Sequence, residues 1–158
     1  MSLIIATGSN LGDKGHNLLL AKKKLLQRFE LVAASNVYHS PPVGYVDQPS
    51  FYNQVLEFRL PQSSPQQVMD ELLEIELQMG RKRDMKWGPR LIDLDIIFWG
   101  VEEISSPNLT IPHPLWSERA FVALPLRELP FFKVLSKSFK IPQEFDSTAE
   151  VVSQKDEL

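Results

Sequence analysis

Arg81-Lys82-Arg83-Asp84-Met85-Lys86-Trp87-Gly88-Pro89-Arg90-Leu91-Ile92-Asp93-Leu94-Asp95-Ile96-Ile97-Phe98-Trp99 joins two opposed kinds of chemistry. From Arg81 to Arg90 five cations stand against one anion, Asp84, and Gly88-Pro89 closes the segment, so it reads as a flexible basic loop. From Leu91 to Trp99 only Asp93 and Asp95 are polar, and β-branched and aromatic types dominate, which predicts a strand. Residues two apart in a strand share a face and lie about 6.5–7 Å apart, so both carboxylates point the same way. Asp disfavours strands and like charges on one face repel, so the pair calls for a compensating cation. Mg²⁺ suits it, because this ion takes few protein carboxylates and completes its shell with water and phosphate oxygens. A solvated edge strand beside a charged loop accounts for either half alone. Their combination points to a metal-bound phosphate compound.

The 158 residues are 43% hydrophobic, enough for one domain with a proper core. Net charge is −3, so the cations of residues 81–90 are a local concentration on an acidic chain. A nucleic-acid binder is usually basic overall, and the expected partner is instead one small polyphosphate. The absence of Cys excludes thiol nucleophiles, disulfides, iron–sulfur clusters and thiolate zinc sites. Leu3 to Ala6 is the only apolar run near the start, and no stretch approaches the ~20 apolar residues of a membrane span. The expectation is a cytoplasmic protein without a membrane partner. Lys155-Asp156-Glu157-Leu158 spells an endoplasmic-reticulum retrieval signal, taken as coincidence because no entry signal is visible.

Along the chain, Leu3 to Thr7 reads as a buried strand ended by the turn Gly8-Ser9-Asn10-Leu11-Gly12-Asp13. That turn lacks the Gly-Lys-Ser/Thr ending of a phosphate loop. A helix follows from Asp13 to Phe29, with Leu18, Leu25, Leu26 and Phe29 at helical spacing and Lys22, Lys23 and Lys24 outward. Leu31 to Tyr38 predicts a second strand. Ser40 to Pro49, with three prolines and a glycine, predicts a long functional connection. In the strand Phe51 to Leu60, Phe51, Asn53, Val55 and Glu57 share one face; Phe51 beside Asn53 offers a stacking ring and a two-way amide, as a flat polar-edged heterocycle requires.

Ser64-Pro65-Gln66-Gln67 is a capping box that opens a helix, and Val68, Leu72, Ile75 and Met79 form its buried stripe before Gly80 stops it; Glu76 lies off that stripe. Asn108 to Ile111 is a short extended piece leading to Pro112-His113-Pro114, whose prolines fix the backbone of His113. A helix from Ser117 carries Arg119 and Phe121 and is broken by Pro125. Polarity predicts disorder over the last dozen residues. The order strand, helix, strand, strand, helix, strand predicts an α+β fold of ferredoxin-like type, an antiparallel sheet with packed helices in a single domain.

Gly80-Arg81-x-Arg83 followed by Trp87-Gly88-Pro89-Arg90-x-x-Asp93-Leu94-Asp95 resembles the signature of the 6-hydroxymethyl-7,8-dihydropterin pyrophosphokinase family of folate biosynthesis. The resemblance continues through Gly8 to Gly12, Ser40-Pro41-Pro42, Asp47-Gln48-Pro49 to Asn53, and Pro112-His113-Pro114 to Phe121, in the family's order over most of residues 1–130. It implies transfer of pyrophosphate from ATP to 6-hydroxymethyl-7,8-dihydropterin, and the same fold. It implies a pair of Mg²⁺ ions on Asp93 and Asp95, with Arg81 and Arg90 completing the catalytic set. ATP falls to Glu76, Arg81, Arg83, Lys86, Trp87, Arg90, Thr110, His113 and Arg119. The pterin falls to Ser40, Pro41, Pro42, Val43, Asn53 and Asp93, with Phe51 and Phe121 as the sandwich and Trp87 closing over the site. Asn10 is implied to brace neighbouring loops, a plain strand-to-helix turn being the alternative. Asn108 and Pro114 depart from certain relatives, which carry a basic and an aromatic residue there. Association with neighbouring folate-pathway enzymes is a further expectation. Two other readings fit parts of the chain: a non-catalytic binding module, which has no need of paired carboxylates beside a cation cluster, and a single-strand nucleic-acid binder stacking bases on Phe51 and Phe121, which the negative net charge opposes.

Overall fold

The computed structural model of the chain describes residues 1–42, 47–81, 90–145 and 147–152. Strand β1 (Ser2–Ser9) is the centre of the architecture: its apolar run is buried on both faces, as a strand covered by helices on each side must be. It pairs antiparallel with β4 (Phe51–Arg59) on one side and β5 (Asp93–Trp99) on the other. The full sheet runs β5-β1-β4-β3-β8, where β3 is Tyr38–Ser40 and β8 is Glu150–Val151, and β2 (Leu31–Ala34) pairs with the far half of β4. A small hairpin of β6 (Ile104–Ser106) and β7 (Leu109–Ile111) follows β5.

Helices α1 (Lys14–Leu26) and α2 (Pro65–Gln78) cover one face. Leu18, Ala21 and Leu25 of α1 and Val68, Leu72 and Ile75 of α2 pack there against Leu3, Ile5, Leu56 and Phe58. Each large side chain in this layer is worth about 1.5–3 kcal/mol of burial. The capping box of α2 forms as expected: Ser64 Oγ accepts from Gln67 N at 3.2 Å, and Gln67 Oε1 accepts from Ser64 N at 2.8 Å. Gly80 ends that helix with φ +88°, a conformation that favours glycine. The other face carries α3 (Ala120–Leu126) and α4 (Phe132–Ser138), whose Val122, Leu126 and Leu135 bury Ile4, Val55, Ile97 and Phe98. A bulge in β5 makes this possible. Ile5 pairs with Ile96 and Ile4 with Phe98, so Ile97 is the extra residue and both Ile97 and Phe98 reach the second core.

Several expected boundaries move. Strand β1 extends through Ser9, and β5 starts at Asp93 rather than Leu91. The expected strand Leu31 to Tyr38 is two strands, because Ser35 Oγ accepts from Val55 N at 3.0 Å and Asn36 N turns to Glu128 Oε1 at 2.9 Å, replacing ladder bonds with side-chain ones. Helix α1 ends before Phe29, and Leu26, expected in its stripe, is 45% exposed. The helix expected from Ser117 is a 3₁₀ turn over Trp116–Glu118 followed by α3. Pro125 lies inside α3 instead of breaking it; the chain then tightens, Arg127 N donating to Leu124 O and Glu128 N to Pro125 O. Residues 147–152, within the dozen expected to lack order, contain β8 and the buried Val152; residues 153–158 lie outside the described set. Among the described residues no helix is long and apolar enough to cross a membrane.

Candidate active site

The α3 face of the sheet presents a row of residues where the second core ends. Gly8 of β1 is opposite Asp93 on one side and Asn53 on the other, and Ser40 of β3 is opposite Phe51. Strands are about 4.8 Å apart, so the Asp93 and Asn53 backbones are separated by about 9.6 Å across a residue with no side chain. A Cβ at Gly8 would lie 3.1 Å from Asn53 Oδ1 and 3.7 Å from the Phe51 ring. The start of α3 roofs the row with Arg119, Phe121 and Val122. The result is a pocket with carboxylates at one end and an amide, a hydroxyl and aromatic rings at the other.

Asn53 Nδ2 donates to Ser40 Oγ at 2.8 Å, which fixes the amide with Oδ1 on the Gly8 side. At the acidic end, Asp93 is held from both sides: Arg81 Nη1 donates to Oδ1 and Arg90 Nη1 to Oδ2, each at 2.9 Å. Arg81 Nη1 also reaches Glu76 Oε2 at 2.6 Å, and that buried carboxylate accepts from Leu94 N at 2.7 Å. Burial raises the pKa of Glu76, against the pull of the Leu94 N–H and Arg81. Asp95 is pushed up to about 7, first by burial and then by the charges of Asp93 and Glu76, with Arg119 and Arg81 opposing. Burial lowers Arg119, and Asp95 and Asp93 act against it. His113 is lowered by burial and by Arg119, so its neutral form is favoured; its Nδ1 accepts from Leu115 N at 3.2 Å.

The donor set fits a hard divalent cation shared with a ligand. Among the described residues no group of three or more His, Cys, Asp or Glu could hold a metal by itself. Mg²⁺ characteristically takes one or two carboxylates and fills its shell with phosphate oxygens and water. Two like-charged carboxylates on one strand, one with a raised pKa, are what such an ion would relieve. Among the described residues Arg81 Nε is buried without a hydrogen-bond partner.

Asn10 joins the segments at both ends of the pocket. Its Nδ2 donates to Gln48 Oε1 at 2.9 Å and Pro49 O at 3.1 Å, its Oδ1 accepts from Arg90 N at 2.6 Å, and its own N donates to Arg90 O at 3.0 Å. The implied brace is present.

Residues 4–130 match the pattern of the 7,8-dihydro-6-hydroxymethylpterin-pyrophosphokinase family. The chain belongs to that family. Its sequence is 39% identical over 127 residues to the 2-amino-4-hydroxy-6-hydroxymethyldihydropteridine pyrophosphokinase of Bacillus subtilis, covering 79% of this chain and 75% of that protein. It is 38% identical over 138 residues to a protein of Lactococcus lactis named bifunctional protein FolKE, covering 86% of this chain and 38% of that one. A crystal structure of Plasmodium falciparum HPPK-DHPS shares the fold with a TM-score of 0.63 at 14% identity, covering 81% of this chain and 39% of that one. The chain thus spans well under half the length of the last two.

Of the residues that the family resemblance marked, Ser40, Pro41, Phe51, Asn53, Arg90, Asp93, Asp95, Arg119 and Phe121 line one pocket. Arg81 and Glu76 lie behind Asp93. Glu76, expected at the nucleotide, is 3% exposed and engaged with Arg81 and the Leu94 N–H, so it is placed to orient an arginine. His113 is anchored beside β5 through its N–H to Ile97 O at 3.0 Å. Thr110 is exposed on β7, and neither it nor Pro42 belongs to the pocket lining. Val43, Arg83, Lys86 and Trp87, and with them the expected closure of Trp87, lie outside the described residues. The sequence reading missed Ala6, Thr7, Gly8, Ile97 and Val122 as lining residues. Gly8, expected in the turn after the first strand, is a residue of β1, and its place between Asn53 and Asp93 is a matter of register.

Proposed function

We propose that the chain transfers the β,γ-pyrophosphoryl group of ATP to the hydroxymethyl oxygen of 6-hydroxymethyl-7,8-dihydropterin, as a step of folate biosynthesis. The observation that carries the site assignment is the row across Gly8, with paired carboxylates at one end and the oriented Asn53 amide with Phe51 and Phe121 at the other. The hydroxyl oxygen bonds to the β-phosphorus, the bond from that phosphorus to the oxygen bridging to the α-phosphorus breaks, and AMP leaves. The hydroxyl proton passes to solvent or phosphate. Asp93 and Asp95 would hold Mg²⁺, a pair of ions in this reading, and bound metal neutralises phosphate charge and favours the alkoxide.

The protein's own part is placement and charge. Phe51 and Phe121 clasp the pterin ring, while Asn53 Oδ1 and the backbone near Ser40 and Pro41 read its polar edge. Arg81, Arg90 and Arg119 present guanidiniums suited to two-point contact with phosphate oxygens. With Nδ1 accepting from Leu115 N, the neutral His113 carries its proton on Nε2 and donates it toward the phosphates. Glu76 orients Arg81. Thr110, Arg83, Lys86 and Trp87 join the ATP side, and Pro42, Val43 and Trp87 the pterin side, on their sequence pattern. The strand order, with β1 and β4 central, supports a ferredoxin-like reading of the fold. The bifunctional name of the Lactococcus relative supports association with neighbouring enzymes of the pathway; a cytoplasmic location belongs to the same proposal.

Product analysis tests the reaction. Protein mixed with ATP, Mg²⁺ and the dihydropterin should release AMP in step with pterin pyrophosphate. ADP as product, or no nucleotide turnover, would overturn it.

A further inference from the structure

We infer that residues 147–152 are a positioning strap for the pterin end of the pocket, with Ser147 the residue that sets the start of α3. This rests on the pterin reading given above. Helix α3 has seven residues, and its N-cap, Arg119, supplies no side-chain hydrogen bond to the first turn. The N–H groups of a first turn lack intrahelical partners and are ordinarily met by a Ser, Thr, Asp or Asn at the cap itself. Here Ser147 Oγ, 27 residues further on, accepts from Ala120 N at 3.2 Å. Ala120 is 1% exposed and stands between Arg119 and Phe121, both of which line the pocket.

Three residues later the segment adds β8 to the edge of β3. Tyr38 pairs with Val151 and His39 with Glu150, and Val152 N donates to Val37 O at 2.8 Å. Val152 is 5% exposed, which anchors the strap. The residue after His39 is Ser40, the partner that orients the Asn53 amide. Both attachments therefore stop one residue short of a pocket wall, one under the Phe121 side and one under the Ser40 side. Neither attachment is made to Asp93, Asp95, Arg81 or Arg90: one is to Ala120 and the other to residues 37–39. The family pattern ends at residue 130, so the strap lies outside the part of the chain that carries the shared signature.

The consequence is selective. The phosphate grip is spread over several cations, so a shift of Arg119 alone is diluted. The pterin slot depends on the spacing of two rings and one amide, and small misplacements of such groups are costly. Ser147→Ala should raise the Kd and KM for 6-hydroxymethyl-7,8-dihydropterin about fivefold, the factor that corresponds to one lost cap. The Kd for a non-hydrolysable ATP analogue with Mg²⁺ should stay within about twofold. Ser147→Thr, which keeps the acceptor, should restore the pterin constants, and Val152→Asp, which lifts the anchor, should reproduce the Ser147→Ala pattern. Amide hydrogen exchange of the ligand-free full chain should speed up in residues 120–126 in Ser147→Ala. Faster exchange with unchanged pterin affinity would overturn the inference, as would equal losses for both ligands or failure of Ser147→Thr to rescue. Absence of pterin binding to the unmutated protein would instead strike the pocket reading itself, and the strap with it.

Discussion

Asp95 faces Asp93 along one strand and carries a pKa of about 7 because burial and that neighbour oppose its charge. Asp95→Asn should therefore leave the melting temperature equal or higher, since it removes a buried like charge, while turnover falls on the order of 10³-fold, the scale of losing one preorganised electrostatic group. Calorimetry and AMP release on the same sample check both halves; retained turnover would remove Asp95 from the metal set. At Gly8, Ala would press a methyl against Asn53 Oδ1 at 3.1 Å. Gly8→Ala should raise the pterin KM about tenfold, one hydrogen bond's worth, and leave nucleotide binding unchanged, which a titration with each ligand separates. The carboxylate pair was legible in the sequence because alternation in a strand is local information. Gly8 was not, because what it contributes is an empty place between two other strands, and only the register puts Asp93 and Asn53 on either side of it. Glu76 was marked by the family resemblance, but its burial was not legible for a related reason: off the apolar stripe, that burial depends on Arg81 and the β5 backbone arriving from elsewhere.

Helix α2 announces both of its ends in the sequence, and the structure places them there. Ser64→Ala should cost about 1 kcal/mol by chemical denaturation with kcat unchanged, because α2 begins on the face of the sheet away from the pocket. A loss of kcat would mean that the two faces are coupled. Helix α3 shows the opposite case. It is short, contains Pro125, and takes its first-turn acceptor from Ser147, so neither start nor stop could be read from its own neighbourhood. The division of β2 from β3 is equally non-local, since the Ser35 hydroxyl takes the Val55 N–H in place of a backbone carbonyl and Asn36 N turns to Glu128. Elements whose boundary chemistry lies within a few residues were readable; those bounded by distant partners were not.

Glu128, at the far end of the α3 turn, accepts from Tyr38 Oη and from both nitrogens of Asn36, and so ties the helical layer to the sheet over 90 residues of chain. Burial, this hydrogen bond and the Glu128 charge all raise the Tyr38 pKa. An unfolded tyrosine ionises near pH ~10. The unfolded chain thus loses this proton first, and stability should fall as pH rises from about 10 toward the raised folded value. Denaturation midpoints from pH 8 to 11 should decline more steeply in the unmutated protein than in Tyr38→Phe; parallel curves would show that the pair is not linked to folding. At this scale the class of fold was readable from element order, whereas the sequence of strands across the sheet was not, because periodicity says which face a residue takes and nothing about its neighbour. That neighbour relation has a further result. The span from Asp93 to Asn53 is two steps of the backbone hydrogen-bond lattice, so the length of molecule the pocket accepts is metered by peptide geometry. Side-chain evolution can retune grip and chemistry at either end, but the lateral spacing between the two ends stays fixed by the ladder itself.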